Sequence, residues 1–162
     1  MTELRHLPEQ VTRYVFERKV RFADIDSFGH VNNVRFFDFL EDARVSMLWE
    51  RPREITGRRQ DLVVARHEID YRRPLTFRSD PVRVEMWVTE ISRVRFTLAY
   101  EIRDDETLYV EASTVMVAYD AAAARPRRLD EDELAYLKRF AGRDHAAGHI
   151  WPTPGAASPP PA

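Results

Sequence analysis

From Leu62 onward, apolar and polar residues alternate along most of the chain, a period of two that belongs to strands with one covered face. Leu62 to Tyr71 puts Val63, Ala65, His67, Ile69 and Tyr71 on one face and Arg66, Glu68 and Asp70, followed by Arg72, on the other. In Pro81 to Ile91, Val82, Val84, Met86 and Val88 alternate against Arg83, Glu85 and Trp87. Ser92 to Arg103 aligns Val94, Phe96, Leu98, Tyr100 and Ile102, and Thr107 to Tyr119 forms the last such run. Asp104-Asp105-Glu106 between these two runs predicts a turn, with hairpin pairing as the simplest topology.

The period differs upstream. Val11 to Phe22 alternates and predicts a first strand, with Tyr14, Phe16 and Val20 on one face. Ala23 to Val31 reads as a loop punctuated by Gly29. A helix is predicted over roughly Asn33 to Glu50, where Phe36, Leu40, Ala43 and Met47 share a stripe that Phe37 and Leu48 widen. So broad a stripe predicts a buried helix, with Asn32 or Asn33 as its N-cap. Arg51 to Asp61, with Pro52 and Gly57, reads as a polar loop, and Asp130 to Gly142 as a short amphipathic helix carrying Leu134, Leu137 and Phe140. One strand, one buried helix and four long strands make an antiparallel α+β domain.

Residues 1–142 are assigned to this domain and 143–162, rich in Pro and Ala, to a disordered tail that has no apolar area to bury. The 162 residues suit a single domain with a core that needs no disulfides. With no cysteine, a disulfide framework, a thiolate zinc site and a cysteine nucleophile are all excluded. The first ten residues show no apolar signal segment and no run is long enough to span a membrane, so the expectation is a cytoplasmic protein with no membrane contact. A net charge of −2, from 25 basic and 27 acidic side chains, gives no global field for nucleic acid. All but Lys19 and Lys138 of the basic residues are arginine, a pattern that GC-rich coding produces and that also suits phosphate recognition.

Candidate chemistry gathers in Asp24-Ile25-Asp26-Ser27-Phe28-Gly29-His30-Val31-Asn32-Asn33. Two carboxylates two residues apart point the same way in extended chain, just ahead of a helix start. Unpaired N–H groups there can steady a carboxylate or act as an oxyanion hole for a bound carbonyl. A carboxylate aimed at that carbonyl is equipped as nucleophile or as general base on water. The plainer reading is that Asp26 caps its own loop.

Arg21 to Asn33, followed by Phe39-Leu40-Glu41-Asp42-Ala43-Arg44, resembles the signature of hotdog thioesterases of the 4-hydroxybenzoyl-CoA thioesterase type. Ile69-Asp70-Tyr71-Arg72-Arg73-Pro74-Leu75, Asp80, and Ala124 to Leu129 match the same family in order, so the likeness runs from about Val15 to Phe140. The resemblance implies a hotdog fold, a long central helix wrapped by a curved antiparallel sheet of about five strands. It implies hydrolysis of acyl-CoA thioesters, at least a homodimer (or a homotetramer of such dimers) with sites at the protomer interface, and neither metal nor organic cofactor. The second Asp of the pair, Asp26, takes the catalytic role and His30 joins it. Gly29, Val31, Asn32, Asn33 and Phe36 line the substrate loop, and Arg72 and Arg73, with Arg93 and Arg95, are candidates for the coenzyme A phosphates. Many family members carry Tyr where this chain has Phe36.

Two alternatives stand beside hydrolysis: a hotdog dehydratase or hydratase using His30, and a non-catalytic acyl-binding protein. No G-x-S-x-G nucleophile elbow occurs in the chain. Asp24 is expected to be structural, His67 to be a satisfied core or interface histidine, and Glu41 and Arg44 to form an ion pair on the helix.

Overall fold

The alternating runs become strands because a helix covers one of their two faces. The computed structural model describes residues 11–56 and 61–142; the assigned tail, 143–162, lies outside them. The strands are β1 (Tyr14–Arg18), β2 (Leu62–Tyr71), β3 (Val82–Ile91), β4 (Arg95–Arg103), β5 (Leu108–Asp120) and the two-residue β6 (Arg125–Pro126). All pairings are antiparallel, in the order β1-β3-β4-β5-β2, with β6 added to β5. Helix α1 (Arg35–Val45) runs into a wide π-type turn, Ser46–Glu50, and then into α2 (Arg51–Thr56). This is the hotdog architecture, a helix in the palm of a curled sheet.

The core lies between these two layers. Phe39, Leu40, Ala43, Met47 and Leu48 from the helix are fully buried, as are Val84, Met86, Leu98, Ile102 and Met116 from the sheet. Each large apolar side chain removed from water there contributes about 1.5–3 kcal/mol. Helix α3 (Glu131–Lys138) closes one end, with Leu137 buried and Leu134 and Phe140 packed against the core. Asp130 caps it: its side chain accepts from the Glu133 N–H while the Glu133 carboxylate accepts from the Asp130 N–H, both at 2.8 Å.

Three features of the fold beyond the helix start differ from the sequence reading. The first strand is only five residues long, because its partner β3 begins at Val82, opposite Arg18. At the other end of β1, the Val88 N–H bonds to the Phe140 carbonyl, so the segment after α3 takes over that edge of β3. The chain then forms a 3-10 turn at Phe22–Asp24, where a loop was expected to start. The predicted polar loop at 51–61 is helical as far as Thr56. A proline ring normally clashes with the carbonyl four residues back, but here the helix widens just before Pro52 and the Arg51 N–H reaches the Ser46 carbonyl instead.

The third difference changes which side chains face inward. A bulge between Val64 and Arg66 interrupts the register of β2 on β5. Leu62 and Val64 pair with inward-facing Ala118 and Met116, whereas beyond the bulge His67, Ile69 and Tyr71 pair with Thr114, Ala112 and Val110. Val63 and Ala65 therefore do not share a face with His67, because an extra residue reverses the alternation.

Candidate active site

The loop between the 3-10 turn and α1 is tied down mostly by its own backbone. The Asp26 N–H bonds to the His30 carbonyl at 2.8 Å and the Gly29 N–H to the Asp26 carbonyl at 3.1 Å. Gly29 has φ +81°, the left-handed region that glycine adopts without cost, and a side chain there would meet open space. The loop is anchored to the segment that leads into β3: Val31 N–H bonds to the Leu75 carbonyl at 2.7 Å, and His30 bridges to Thr76.

The two aspartates do different things. Asp24 is fully buried; its carboxylate accepts from the Arg21 N–H at 2.8 Å and pairs with the Arg21 guanidinium at 3.0 Å. Burial raises its pKa, but these bonds outweigh burial and hold it below the ordinary carboxylate value. The Asp24 carbonyl also accepts the Asn32 N–H, which marks it as structural. Asp26 is half-buried, and its Oδ1 accepts from the Phe28 N–H at 2.9 Å and more weakly from the His30 N–H at 3.4 Å. Its Oδ2 meets no donor among the described residues. The expected shared direction of the pair does not survive, because the 3-10 turn breaks the extended run on which it depended.

The helix start also shifts. Asn32 Oδ1 accepts the Val34 N–H at 3.0 Å, but α1 itself begins at Arg35 with Val34 as cap residue, so neither asparagine occupies the cap position. The Arg35 and Phe37 N–H groups are taken by the Asn32 and Val34 carbonyls. No acceptor among the described residues meets the N–H of Asn33 or Phe36, so two donors at the positive end of the helix stay available beside Asp26.

The other expected site residues fall into groups. His30 is exposed and touches Asp26 only through its backbone, with its ring unpartnered among the described residues. Val31 and Phe36 are buried, at 3% exposure each, so their side chains support the loop from below. Arg72 is tied to Glu111 and lies near Asp70, while Arg73 is exposed and pairs with no acid among the described residues. Arg93 and Arg95 sit at the far end of the sheet, a strand length of roughly 30 Å from the loop. Within one protomer they do not share a phosphate site with Arg73.

Two residues were missed or misjudged from sequence. Tyr71, at the end of β2, donates its hydroxyl to the Asn33 carbonyl at 3.0 Å and packs on Phe36 with ring centroids 5.7 Å apart. An aromatic closing an alternating run was the available signal, but nothing local says which loop it meets. The predicted Glu41–Arg44 ion pair is not formed: Glu41 is exposed, while Arg44 is buried and turns inward to the Tyr100 hydroxyl. His67, by contrast, is satisfied as expected, its Nδ1 lying 2.8 Å from Thr114 Oγ1.

Among the described residues there is no cluster of His, Asp or Glu suited to a metal, and no helix long and apolar enough to cross a membrane. Chemically, the loop offers one uncommitted carboxylate oxygen at its start and a pair of free backbone donors where it enters the helix.

Comparison with known proteins gives the family and the fold. The family model described as the thioesterase-like superfamily matches residues 20–137, which span the loop, both layers and α3. A 1,4-dihydroxy-2-naphthoyl-CoA hydrolase from Synechococcus elongatus is 25% identical over 123 residues, covering 73% of this chain and 90% of that protein. A thioesterase from Thermus thermophilus, solved in complex with coenzyme A and zinc, is 26% identical with a TM-score of 0.64, over 78% of this chain and 92% of that one. A structure from Bacillus stearothermophilus, described as a predicted thioesterase, superimposes with a TM-score of 0.72 at 20% identity, over 80% of this chain and 97% of the other, and speaks for the fold alone.

Proposed function

The chain belongs to the thioesterase-like superfamily, and from that premise we propose that it hydrolyses acyl-CoA thioesters to a free acid and coenzyme A, with Asp26 as the carboxylate that drives the reaction. The observation that carries this reading is the free Asp26 Oδ2 beside the unpaired N–H groups of Asn33 and Phe36. The thioester oxygen, lodged against those donors, gains stabilisation as charge builds on it. Asp26 Oδ2 takes a proton from water as the water oxygen adds to the acyl carbon. The carbon–sulfur bond then breaks, and the proton passes to the departing sulfur. If instead Oδ2 attacks first, an acyl-aspartate anhydride forms and water cleaves it. Single-turnover hydrolysis in ¹⁸O-water tests the second route, since label enters Asp26 only when water opens such an anhydride at the aspartyl carbonyl.

The exposed His30 ring and Arg73 are the side chains on this rim that meet substrate, Arg73 being the one suited to a phosphate. The reaction balances with water alone and calls for no metal or organic cofactor. The proposal includes a homodimer. β2 is an edge strand with only β5 beside it, and its neighbourhood exposes Val34, Phe37, Val63, Val64 and Tyr71 at 39–67%. A second copy laid along that edge would cover this strip and the unpaired backbone.

The test is thiol release from a panel of CoA thioesters of aliphatic and aromatic acids. Turnover that depends on Asp26 supports the reading; tight binding of acyl-CoA with no thiol released from any of them sinks it.

A further inference from the structure

The Asp26 loop leans on a stretch of chain that has no regular structure of its own. Residues 72–81 join β2 to β3 without helix or strand, yet Leu75 and Thr76 within them carry the far half of the loop. The Leu75 carbonyl accepts the Val31 N–H at 2.7 Å, His30 bridges to Thr76, and the His30 carbonyl in turn accepts the Asp26 N–H. The place of Asp26 therefore depends, two steps removed, on whatever holds residues 72–81.

Tyr109 grips that segment at both ends. Its carbonyl accepts the N–H groups of Arg72 at 2.8 Å and Arg73 at 3.2 Å, and its hydroxyl accepts from the Arg78 guanidinium at 3.2 Å. The register of β5 on β4 lets one residue do both. Ile102 pairs with Val110 and Arg103 with Leu108, so Tyr109 is the extra residue of a bulge, and a bulge re-aims the side chain it carries.

The other half of the grip is Asp104, in the turn between β4 and β5. Its Oδ1 accepts the Glu106 and Thr107 N–H groups at 3.0 and 2.8 Å and shapes the turn. Its Oδ2 has no part in the turn: it accepts the Tyr109 hydroxyl at 2.6 Å and, at 2.5 Å, the guanidinium of Arg78, 26 residues back in the chain. The Asp104 and Arg78 side chains are only 20% and 26% exposed, and charge-assisted bonds of this length are roughly twice as strong as neutral ones. No hydrogen bond or ion pair among the described residues joins Arg78, Asp104 or Tyr109 directly to the loop, so their hold on it runs through residues 72–81.

We propose that Asp104 and Tyr109 are positioning residues for Asp26: with Arg78 they clamp residues 72–81 and so keep the Asp26 loop in place at the helix start. This rests on the thioesterase reading given above. A reacting group misplaced by about 1 Å costs up to roughly 10²-fold in rate. The Tyr109 carbonyl belongs to the backbone and survives substitution, so Arg72 and Arg73 keep their anchor and substrate binding is expected to hold.

The experiment measures kcat and KM of the full chain for the CoA thioester of the panel above that turns over fastest, at a temperature where circular dichroism shows each variant folded. Asp104→Asn keeps an Oδ1 acceptor for the turn and loses the charge that holds Arg78. Its kcat is expected to fall about tenfold with KM within about twofold, the pattern of an interaction lost only in the transition state. Tyr109→Phe removes one hydroxyl, lowers kcat in the same direction, and serves alone if the first variant fails to fold. Glu133→Gln is the control: it breaks the 2.7 Å ion pair with Arg127, which bonds to the Tyr119 carbonyl near the opposite end of β5, and leaves kcat unchanged. A kcat unaltered in both clamp variants, or lowered as much in Glu133→Gln, overturns the proposal and leaves hydrolysis standing. Absence of thiol release by the unaltered chain overturns the thioesterase reading itself.

Discussion

The catalytic role proposed for Asp26 is separable from its part in the loop, and a pair of substitutions divides the two. Its Oδ1 holds the loop through the Phe28 N–H at 2.9 Å and the His30 N–H at 3.4 Å, while Oδ2 meets no donor among the described residues. The second of these bonds is at the outer limit of useful geometry, so the loop-holding duty amounts to one full hydrogen bond and a fraction. Asp26→Asn keeps an oxygen at Oδ1 and loses the charge. Stability is then expected to change by no more than about 0.5 kcal/mol. Asp26→Ala leaves both N–H groups to solvent, which can reach this exposed loop, at a cost of about 1 kcal/mol. That corresponds to a urea midpoint lower by roughly 0.5 M. Activity divides differently: both variants lose the proton acceptor or nucleophile, and kcat/KM falls by roughly 10²–10⁴ in each. Urea melts followed by circular dichroism give the first quantity, and chromogenic thiol release under steady state gives the second. An Asp26→Asn enzyme with full activity, beside a destabilised Asp26→Ala, would reduce Asp26 to a loop cap and refute the catalytic assignment.

Three further expectations follow from other parts of the fold. Gly29→Ala meets no steric obstacle but must hold φ +81°, so stability falls by about 1 kcal/mol in urea melts; Gly29→Asn loses less, and an unchanged midpoint for the alanine would mean the turn is not left-handed. Asp104 accepts from the Tyr109 hydroxyl at 2.6 Å, from Arg78, and from the Glu106 and Thr107 N–H groups, which together hold its pKa well below the ordinary carboxylate range, the Tyr109 bond most of all. A carboxyl lowered in the folded state stabilises fully above its unfolded pKa of about 3.9 and loses that contribution as pH falls towards the folded value. The stability gap between wild type and Asp104→Asn should therefore be equal at pH 7 and 5 and smaller at pH 3, and a gap constant across that range would contradict the assignment. Val64→Lys puts a charge on the exposed β2 edge; light scattering should show the proposed dimer dissociating to monomer, whereas a dimer of unaltered affinity would place the interface elsewhere.

Sequence periodicity reported the layers well and their exceptions poorly, and the reasons are physical. In β3 and β4 buried and partly exposed residues alternate along most of each strand, so the phase of the alternation can be read directly. The start of β2 is apolar on both faces: Leu62, Val63, Val64 and Ala65 carry no phase, and a bulge there leaves no trace in the pattern. Pro52 reads as a helix end because a proline normally is one, and only the widened turn ahead of it permits the helix to continue. The aspartate pair was legible as a motif, yet the division of labour between a buried structural Asp24 and a half-free Asp26 depends on a 3-10 turn that spacing does not encode.

Arg44 shows the limit most clearly. An acid three residues earlier on the same helix favours a surface ion pair, worth only about 0.2–0.5 kcal/mol. That is a weak local preference, easily outweighed by where the helix lies against the sheet. Once α1 is seated on the sheet, position 44 faces Tyr100, which is 56 residues away in sequence. The side chain is then committed inward, to the Tyr100 hydroxyl, and Glu41 is left in solvent. Such a contact is set by strand order and register, not by neighbours along the chain. The same holds for Tyr71 on Asn33 and for His67 beneath Phe37. Such residues are therefore ones that sequence reasoning could only assign to faces, whereas the partners of Asp26 all lie within four residues of it along the chain.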